Sequence, residues 1–227
     1  MTDKAASLIT IEGLTFRYPQ SDFNLHIPEL EIDAGAKVAV IGPSGSGKTT
    51  LINLLAGIVP AVGGHVTVKG VTLNQLDDAE RRRFRIANIG FVFQDFALLD
   101  YLTLLDNILH PYRINGPLPL TAEVRDHAAH LAATMGIADK LDRYVHHLSH
   151  GEKQRAAICR ALVTGPPLIL ADEPTGNLDP ANKTHILQHL FHHVEDTGAT
   201  LLAVTHDHGL LDLFDRVVNF QDFDRPE

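Results

Sequence analysis

The sequence predicts an α/β fold with a parallel central sheet, and three observations support this prediction. Two short runs, 168–171 and 201–204, are apolar at every position, which is typical of parallel strands covered by helices on both faces. A glycine-rich segment, 42–49, lies between an apolar run and a helical pattern. Between residues 95 and 163 the apolar spacing becomes helical. Strands that alternate with helices around such an insertion indicate an α/β architecture.

The individual elements follow from local patterns along the chain. The first forty residues alternate or run apolar, which predicts strands, and this N-terminal β portion is expected to be antiparallel. A turn is predicted at Gly63-Gly64, and Gly116, Pro117 and Pro119 separate two helical patterns. We expect strands at 8–16, 23–32, 37–41, 65–69, 89–94, 168–171, 200–204 and 216–220, and helices at 50–55, 77–86, 102–110, 122–135, 152–163 and 180–196.

These elements predict a single domain that spans residues 1–227. Its core comprises residues 1–94 and 164–227, and a helical subdomain is inserted at about 95–163. The apolar fraction of 44% and the charged fraction of 21% are ordinary for a globular protein. The one cysteine, Cys159, excludes an internal disulfide framework, and its apolar neighbours predict a packed thiol rather than a reactive one.

Charge and hydropathy limit the partners. The net charge of −9 argues against nucleic acid as the main partner. No apolar run reaches the ~18–20 residues of a membrane span, and the N-terminus lacks the pattern of a secretory signal peptide. We therefore expect a protein of the cytoplasmic side; if it works at a membrane, another chain must supply the spans.

The glycine-rich segment fits the phosphate-binding pattern G-x-x-x-x-G-K-[ST] in its required strand–loop–helix context. Glycines allow consecutive backbone N–H groups to converge on one anion, and the following helix adds its positive dipole end. The lysine charge would meet the β- and γ-phosphates, and the threonine hydroxyl would ligate Mg²⁺. The predicted nucleotide-binding residues here are Gly42, Pro43, Ser44, Gly45, Ser46, Gly47, Lys48, Thr49 and Thr50.

Two acids follow the apolar run 168–171. Ligand sites of parallel sheets lie at the carboxyl ends of the strands, so Asp172 and Glu173 are expected beside the phosphate-binding loop. Asp172 is predicted to hold Mg²⁺ and Glu173 to polarise the water that attacks the γ-phosphate. Without the loop, two surface acids at a strand end would be the simpler interpretation.

A second anion-binding element lies upstream of these acids. Ser149 and Glu152 form the capping-box pattern S-x-x-E at the start of a helix, and Gly151 lies within its first turn. A capped helix start of this kind binds anions. The chain thus carries two phosphate-binding elements but one glycine-rich phosphate loop.

Taken together, these motifs resemble those of ATP-binding cassette ATPases, the nucleotide-binding subunits of ABC transporters, in the family's order and over essentially the whole chain. The resemblance implies that Tyr18 stacks on adenine, that Gln94 contacts Mg²⁺, and that His206 is the switch histidine. It also implies that 148–154 is the signature motif, in which Ser149 and Gly151 contact nucleotide. Asp172-Glu173 would be the Walker B pair, with Glu173 as the catalytic glutamate. Residues 176–179 would be the D-loop, which contributes Asp179 to the nucleotide site.

The resemblance also implies cofactors and partners. Two cassettes would pack head to tail as a homodimer, with each Mg·ATP between one subunit's phosphate-binding loop and the other's signature helix. The helical insertion would transmit motion to integral membrane permease subunits, which places the protein peripherally on the cytoplasmic face of the inner membrane. The segments 171–179, 91–94 and 98–99 are similar to those of the lipoprotein-release and macrolide-exporter branch. That branch serves a four-span permease with a large extracytoplasmic domain.

Other functions share part of the pattern. DNA-repair cassettes carry a long heptad insertion, translation-type proteins carry two cassettes in one chain, and a small-molecule kinase leaves the signature motif and His206 unexplained. An ATP-binding scaffold of the cell-division type keeps the same residues and remains the closest alternative.

Four weaker features leave open alternatives. His150 stands where the signature usually has glycine; it is either a tolerated substitution or, when protonated, an added cation near the phosphates. His185 and His189 have metal-ligand spacing, but the same residues fit a solvated helix face. The basic run 81–85 fits a solvated face or a contact with the permease or anionic lipid. Apolar residues after Gln94 suggest either core packing or a groove for a permease helix; they are Phe96, Leu98, Leu99, Tyr101 and Leu102.

Overall fold

A computed structural model describes residues 7–114, 118–176 and 180–223. Its strands are β1 Ser7–Arg17, β2 Asn24–Asp33, β3 Lys37–Ile41, β4 Gly63–Val68, β5 Val71–Thr72, β6 Ile89–Val92, β7 Leu168–Asp172, β8 Thr200–Val204 and β9 Arg216–Asn219. Its α-helices are α1 Lys48–Leu55, α2 Asp78–Asn88, α3 Leu104–Ile108, α4 His110–Ile114, α5 Ala122–Thr134, α6 His150–Leu162 and α7 Pro180–Thr197.

A parallel sheet forms the centre of the fold, with strand order β6-β7-β8-β3-β9. Its central strands β7 and β8 are buried at every position, which confirms the prediction from the two apolar runs. Ile169 and Leu201 pack with the helices on one face, whereas Leu168 and Leu202 pack with α1 and the second sheet on the other. The parallel pairing brings the carboxyl ends of β3, β7 and β8 to one edge.

A second, antiparallel sheet has the order β2-β1-β4-β5. Alternate residues of β1 and β2 are buried, so one face of this sheet packs against the core and the other is exposed. The predicted α/β class, with a parallel central sheet, an antiparallel N-terminal portion and inserted helices, is confirmed. No helix in the described ranges is long and apolar enough to span a membrane.

Two local predictions were wrong. Gly63-Gly64 does not form a turn but begins β4, opposite an irregularity in β1. A Cβ on Gly64 would lie 2.2 Å from the Gly13 carbonyl oxygen, so glycine permits close approach of the two strands. The helix predicted at 102–110 is divided into α3 and α4. Pro111, which lacks the N–H that a continuous helix would need, lies in the first turn of α4.

The single cysteine behaves as predicted. Cys159 lies on the buried face of α6 and is fully buried. Burial raises the pKa of its thiol to about 12, so the thiolate is not available near neutral pH.

Candidate nucleotide-binding site

The glycine-rich loop adopts a conformation that only glycines accept readily. Gly42, Gly45 and Gly47 have φ angles of 152°, 75° and 109°. Gly47 is the residue before α1, and a Cβ there would lie 2.8 Å from the Phe23 ring. The loop therefore depends on glycine at Gly47 for its backbone conformation and for space.

Lys48 lies buried within this loop. Its ammonium group donates hydrogen bonds to the carbonyl oxygens of Gly42 (2.8 Å) and Pro43 (2.7 Å). Burial lowers the Lys48 pKa, and the carboxylates of Glu173 and Asp172 oppose that shift. The Ser46 hydroxyl is also buried and has no hydrogen-bond partner among the residues that the structure describes. Because buried hydroxyls are normally paired, Ser46 has a donor free for an anion, and the loop fits phosphate.

The predicted magnesium ligands meet in one cleft. Asp172 ends β7, is buried, and accepts a hydrogen bond from the Thr49 side chain. Burial raises the pKa of Asp172, and the Thr49 hydrogen bond opposes that shift. Thr49, Asp172 and Gln94 line the same cleft of about 680 Å³. Hydroxyl, carboxylate and amide oxygens are the donors that Mg²⁺ prefers, so the three residues fit this ion.

Glu173 is held from both sides by the two other predicted polar residues. Its Oε1 lies 2.8 Å from His206 Nε2, and its Oε2 accepts a hydrogen bond from Gln94 Nε2 at 3.3 Å. Its backbone is in the left-handed region, at φ 49°, and its N–H donates to the Val204 carbonyl at 3.0 Å. Residues held in such conformations cluster at functional sites.

These groups surround a cavity of about 450 Å³. It is lined by the predicted residues Tyr18, Ser44, Gly45, Gly47, Lys48, Thr49, Thr50, Gln94, Glu173 and His206, together with Phe23 and Val204. The Tyr18 hydroxyl lies 3.3 Å from the Thr50 hydroxyl, which fixes the ring at the cavity wall.

Phe23 is a lining residue that the sequence pattern did not predict. Its ring centroid lies 6.0 Å from that of Tyr18, so two aromatic rings border the cavity. The sequence context of Phe23 predicts only a strand, 23–32. The available signal was a second aromatic residue a few positions after Tyr18.

The other predicted residues lie around this cavity or away from it. Gly42 and Pro43 line a neighbouring cavity with His206. Ser149 and Gly151 do not line the nucleotide cavity or the Asp172 cleft. Ser149 instead caps α6: its hydroxyl accepts from the Glu152 N–H at 3.3 Å, and its own N–H donates to the Glu152 carboxylate at 2.7 Å. Asp179 lies outside the described residues.

His150 lies at the exposed start of α6. Its ring packs against the edge of Phe96, with centroids 5.5 Å apart, and it lines the Asp172 cleft of its own chain. The apolar segment after Gln94 is mixed: Phe96 is buried, Leu98 packs against the core, and Tyr101 is 74% exposed.

The basic run is only partly a solvated face. Arg82 is exposed, but Arg81 donates to the Leu76 carbonyl and Arg85 donates to the carbonyls of Ala56 and Gly57. Arg85 therefore binds the C-terminal end of α1, where cations are favoured.

The structure does not test the metal-site alternative for His185 and His189. The side chain of His185 lies outside the described part of the chain. Within the described part, no group of three or more histidine, cysteine or acidic side chains is arranged to hold a metal ion.

With this geometry in place, comparison with known proteins identifies the family. The sequence profile of the ABC transporter family matches residues 25–176. The chain belongs to the ABC transporter ATP-binding family. It is an ATP-binding cassette and an ATPase, and it is similar to the "Lipoprotein-releasing system ATP-binding protein LolD" of Bacteroides thetaiotaomicron. The two are 39% identical over 95% of this chain and 97% of that protein.

Two further comparisons extend this result. The cassette is 41% identical, over 95% of its length, to the "Macrolide export ATP-binding/permease protein MacB" of Rhodopirellula baltica, of which it covers 32%. A solved structure of the ATP-binding cassette MJ0796, dimeric and bound to ADP and Pi, superposes with a TM-score of 0.84. It has 31% identity and covers 93% of each chain. Dimerisation is thus a property of solved cassettes that share this fold.

Proposed function

We propose that this cassette is the ATP-hydrolysing subunit of a transporter whose membrane-spanning permease is a separate chain, and that it works in lipoprotein release or export. Its match to 97% of a lipoprotein-releasing ATP-binding protein supports the branch. The name of the macrolide relative joins an ATP-binding part and a permease part in one protein, and the cassette covers 32% of it. The cassette would then act peripherally, on the cytoplasmic face of the membrane.

Different cavity residues bind different parts of the nucleotide. The loop N–H groups and the Lys48 ammonium bind the phosphates, and the Tyr18 and Phe23 rings offer a face for adenine. Thr49, Gln94 and Asp172 would hold Mg²⁺, which neutralises charge on the phosphate oxygens when it is bound.

Hydrolysis is assigned to Glu173, and the observation that carries this assignment is the placement of its carboxylate between His206 and Gln94 at the rim of the cavity. Glu173 takes a proton from water as the water oxygen forms its bond to the γ-phosphorus. The bond from the γ-phosphorus to the bridging oxygen breaks, and ADP and phosphate result. His206 orients the carboxylate and the γ-phosphate.

The second anion site belongs to the partner's nucleotide. The capped start of α6 presents Ser149 and Gly151 outside their own chain's cavity. A head-to-tail pair of cassettes brings this start over the other subunit's phosphates, so that ATP joins the two chains. Hydrolysis removes the γ-phosphate and releases the pair.

An apolar groove between α2, α4 and α6 is the proposed seat of the permease. It has a volume of about 240 Å³, and Phe91, Phe93 and Ile114 line it. Arg85 and Arg160 also line it, but their guanidinium groups donate to backbone carbonyls, so a permease helix with an apolar face is the matching occupant. Ile114, 57% exposed, is the residue whose replacement by aspartate should weaken co-purification with the permease in detergent.

Size-exclusion chromatography with ATP, beside steady-state phosphate release, tests the motor function. The wild type should release phosphate. Glu173→Gln should release it about 10²–10⁴-fold more slowly and should elute as an ATP-dependent dimer. Glu29→Gln, an exposed change on the edge strand β2, is the matched control and should leave both properties unchanged. If the cassette, alone and with its permease, binds ATP without hydrolysis, it is not a motor.

A further inference from the structure

Arg160 is a buried cation that has no part in the nucleotide cavity. It lies on α6 in an otherwise apolar stretch, 156–162, and is 9% exposed. Burial lowers its pKa to about 10, against the opposing effect of Asp95. A guanidinium group buried to this extent needs hydrogen-bond acceptors that offset the free-energy cost of its desolvation.

Those acceptors are two consecutive backbone carbonyls. The Arg160 guanidinium donates to the Phe96 carbonyl at 2.6 Å and to the Ala97 carbonyl, and its centre lies 5.8 Å from the Phe93 ring. Phe96 and Ala97 have φ angles of 65° and 47°, in the left-handed region that side chains disfavour. Arg160 thus holds a strained turn that begins two residues after Gln94.

The same helix carries the second anion site. Ser149 caps α6 at one end and Arg160 lies near the other, about 16 Å away at 1.5 Å per residue. A helix of this length moves as one piece, so a shift of the Gln94 turn against Arg160 displaces Ser149 as well.

We propose that Arg160 is a positioning residue that couples the Gln94 turn to the Ser149 end of α6, so that ATP contact in one chain sets the presentation of that chain's signature helix to the partner. This inference rests on the proposed two-chain nucleotide site. The guanidinium group acts by holding the turn and does not touch the nucleotide.

Dimerisation separates this role from nucleotide binding. In a Glu173→Gln background, Arg160→Gln should weaken the ATP-driven dimer by about tenfold while ATP affinity of the monomer stays within about twofold. Arg113→Gln, which removes an equal charge from a residue paired with Asp106, is the matched control and should leave the dimer unchanged. Analytical ultracentrifugation and a fluorescent ATP analogue measure the two quantities.

Relief of the strain alone should not restore the coupling. Ala97 is exposed, and glycine accepts its left-handed conformation without strain, so Ala97→Gly in the Arg160→Gln background relaxes the turn but supplies no contact to α6, and the dimer should stay weakened. Recovery of the dimer affinity in this double variant would show that Arg160 acts only on the strain of the turn and would overturn the coupling. If Arg160→Gln fails to fold, Arg160→Lys serves, because lysine keeps the charge but not the planar two-carbonyl fork.

Amide hydrogen exchange in the nucleotide-free monomer tests the clamp without the dimer. Exchange at residues 96–99 should rise by about tenfold in Arg160→Gln. Unchanged exchange would show that Arg160 does not hold the turn, and a loosened turn with an unchanged dimer would refute the coupling. If the Glu173→Gln parent itself fails to dimerise with ATP, the proposed two-chain nucleotide site is wrong, and the coupling that rests on it is wrong as well.

Discussion

Glu173 and His206 meet across the carboxyl edge of the parallel sheet, with Glu173 Oε1 2.8 Å from His206 Nε2. The contact exists because β7 and β8 are adjacent parallel strands, so residues that follow each strand emerge side by side. Gln94, which follows β6 on the other side of β7, completes the set. Three adjacent strands of the sheet therefore present one carboxylate and its two polar partners at the same edge.

The first prediction concerns the histidine of this set. His206→Ala should lower kcat by about 10²-fold, because the carboxylate loses the partner that orients it. ATP affinity should change little, since Lys48 and the loop amides remain. His208→Ala, an exposed change two residues further on, is the control. Equal losses in both variants would contradict a specific role for His206.

The second prediction compares two glycines of the phosphate-binding loop. Gly47→Ala should lower the free energy of unfolding by about 1–3 kcal/mol and abolish ATP binding, because its φ is 109° and the new Cβ would meet Phe23. Gly45 also has a positive φ, 75°, but a Cβ there would meet no heavy atom of the described residues within 4 Å, apart from its chain neighbours. Gly45→Ala should therefore cost only the backbone strain, about 1 kcal/mol, and retain measurable ATP binding.

Urea unfolding and titration with a fluorescent ATP analogue check this pair. If Gly45→Ala were the more damaging substitution for stability, the close approach of Phe23 to Gly47 would not be the limiting contact.

The third prediction is a stability gain at the expense of activity. Burial raises the pKa of Asp172 in the folded state, so the folded protein binds its proton more tightly than the unfolded chain does. Stability from this group therefore falls as pH rises from the ordinary carboxyl pKa of 3.8 through the raised value. Asp172→Asn removes the ionisation and keeps an acceptor for Thr49, so the nucleotide-free variant should melt higher at pH 7.5 and should not hydrolyse ATP.

Differential scanning fluorimetry without nucleotide measures this gain. Asp126→Asn, on the exposed face of α5, makes the same chemical change at the surface and should leave the melting temperature unchanged. A lower melting temperature for Asp172→Asn would show that its carboxylate stabilises the nucleotide-free fold.

The fourth prediction concerns the cap of α6. The Ser149 backbone N–H holds the pKa of Glu152 below its ordinary value, with the Ser149 hydroxyl as a further donor. A lowered carboxyl pKa contributes stability above the unfolded pKa of 4.5 and loses it as pH falls through the folded value. The wild type should thus be more stable than Glu152→Gln at pH 7, and the difference should shrink as pH falls below about 4.5.

Urea unfolding at pH 7, 4.5 and 3.5 measures this difference. Because the two residues act as one cap, Ser149→Ala combined with Glu152→Gln should cost less than the sum of the single changes. Strict additivity at pH 7 would contradict the reciprocal cap.

Local patterns in the sequence were sufficient for much of this protein. Continuous apolar runs predict β7 and β8 because a strand covered on both faces has no polar position. The glycine-rich loop, the acids after β7 and the Ser149 cap were all predicted, since each depends on neighbours within a few residues. Prediction failed where distant segments decide the outcome, as at Gly63-Gly64, whose strand conformation depends on the approach of β1.

The sequence by itself determined the α/β class, the phosphate-binding loop and the identity of the acids, because these follow from periodicity and short-range chemistry. Only the tertiary structure decided that Phe23 joins Tyr18 at the cavity, that burial raises the pKa of Asp172, and that Arg160 holds the turn after Gln94. The Arg160 contact joins residues 64 positions apart, and burial is a sum over contacts from many segments. A short stretch of sequence reveals neither the long-range contact nor the burial, because both depend on how the whole chain packs.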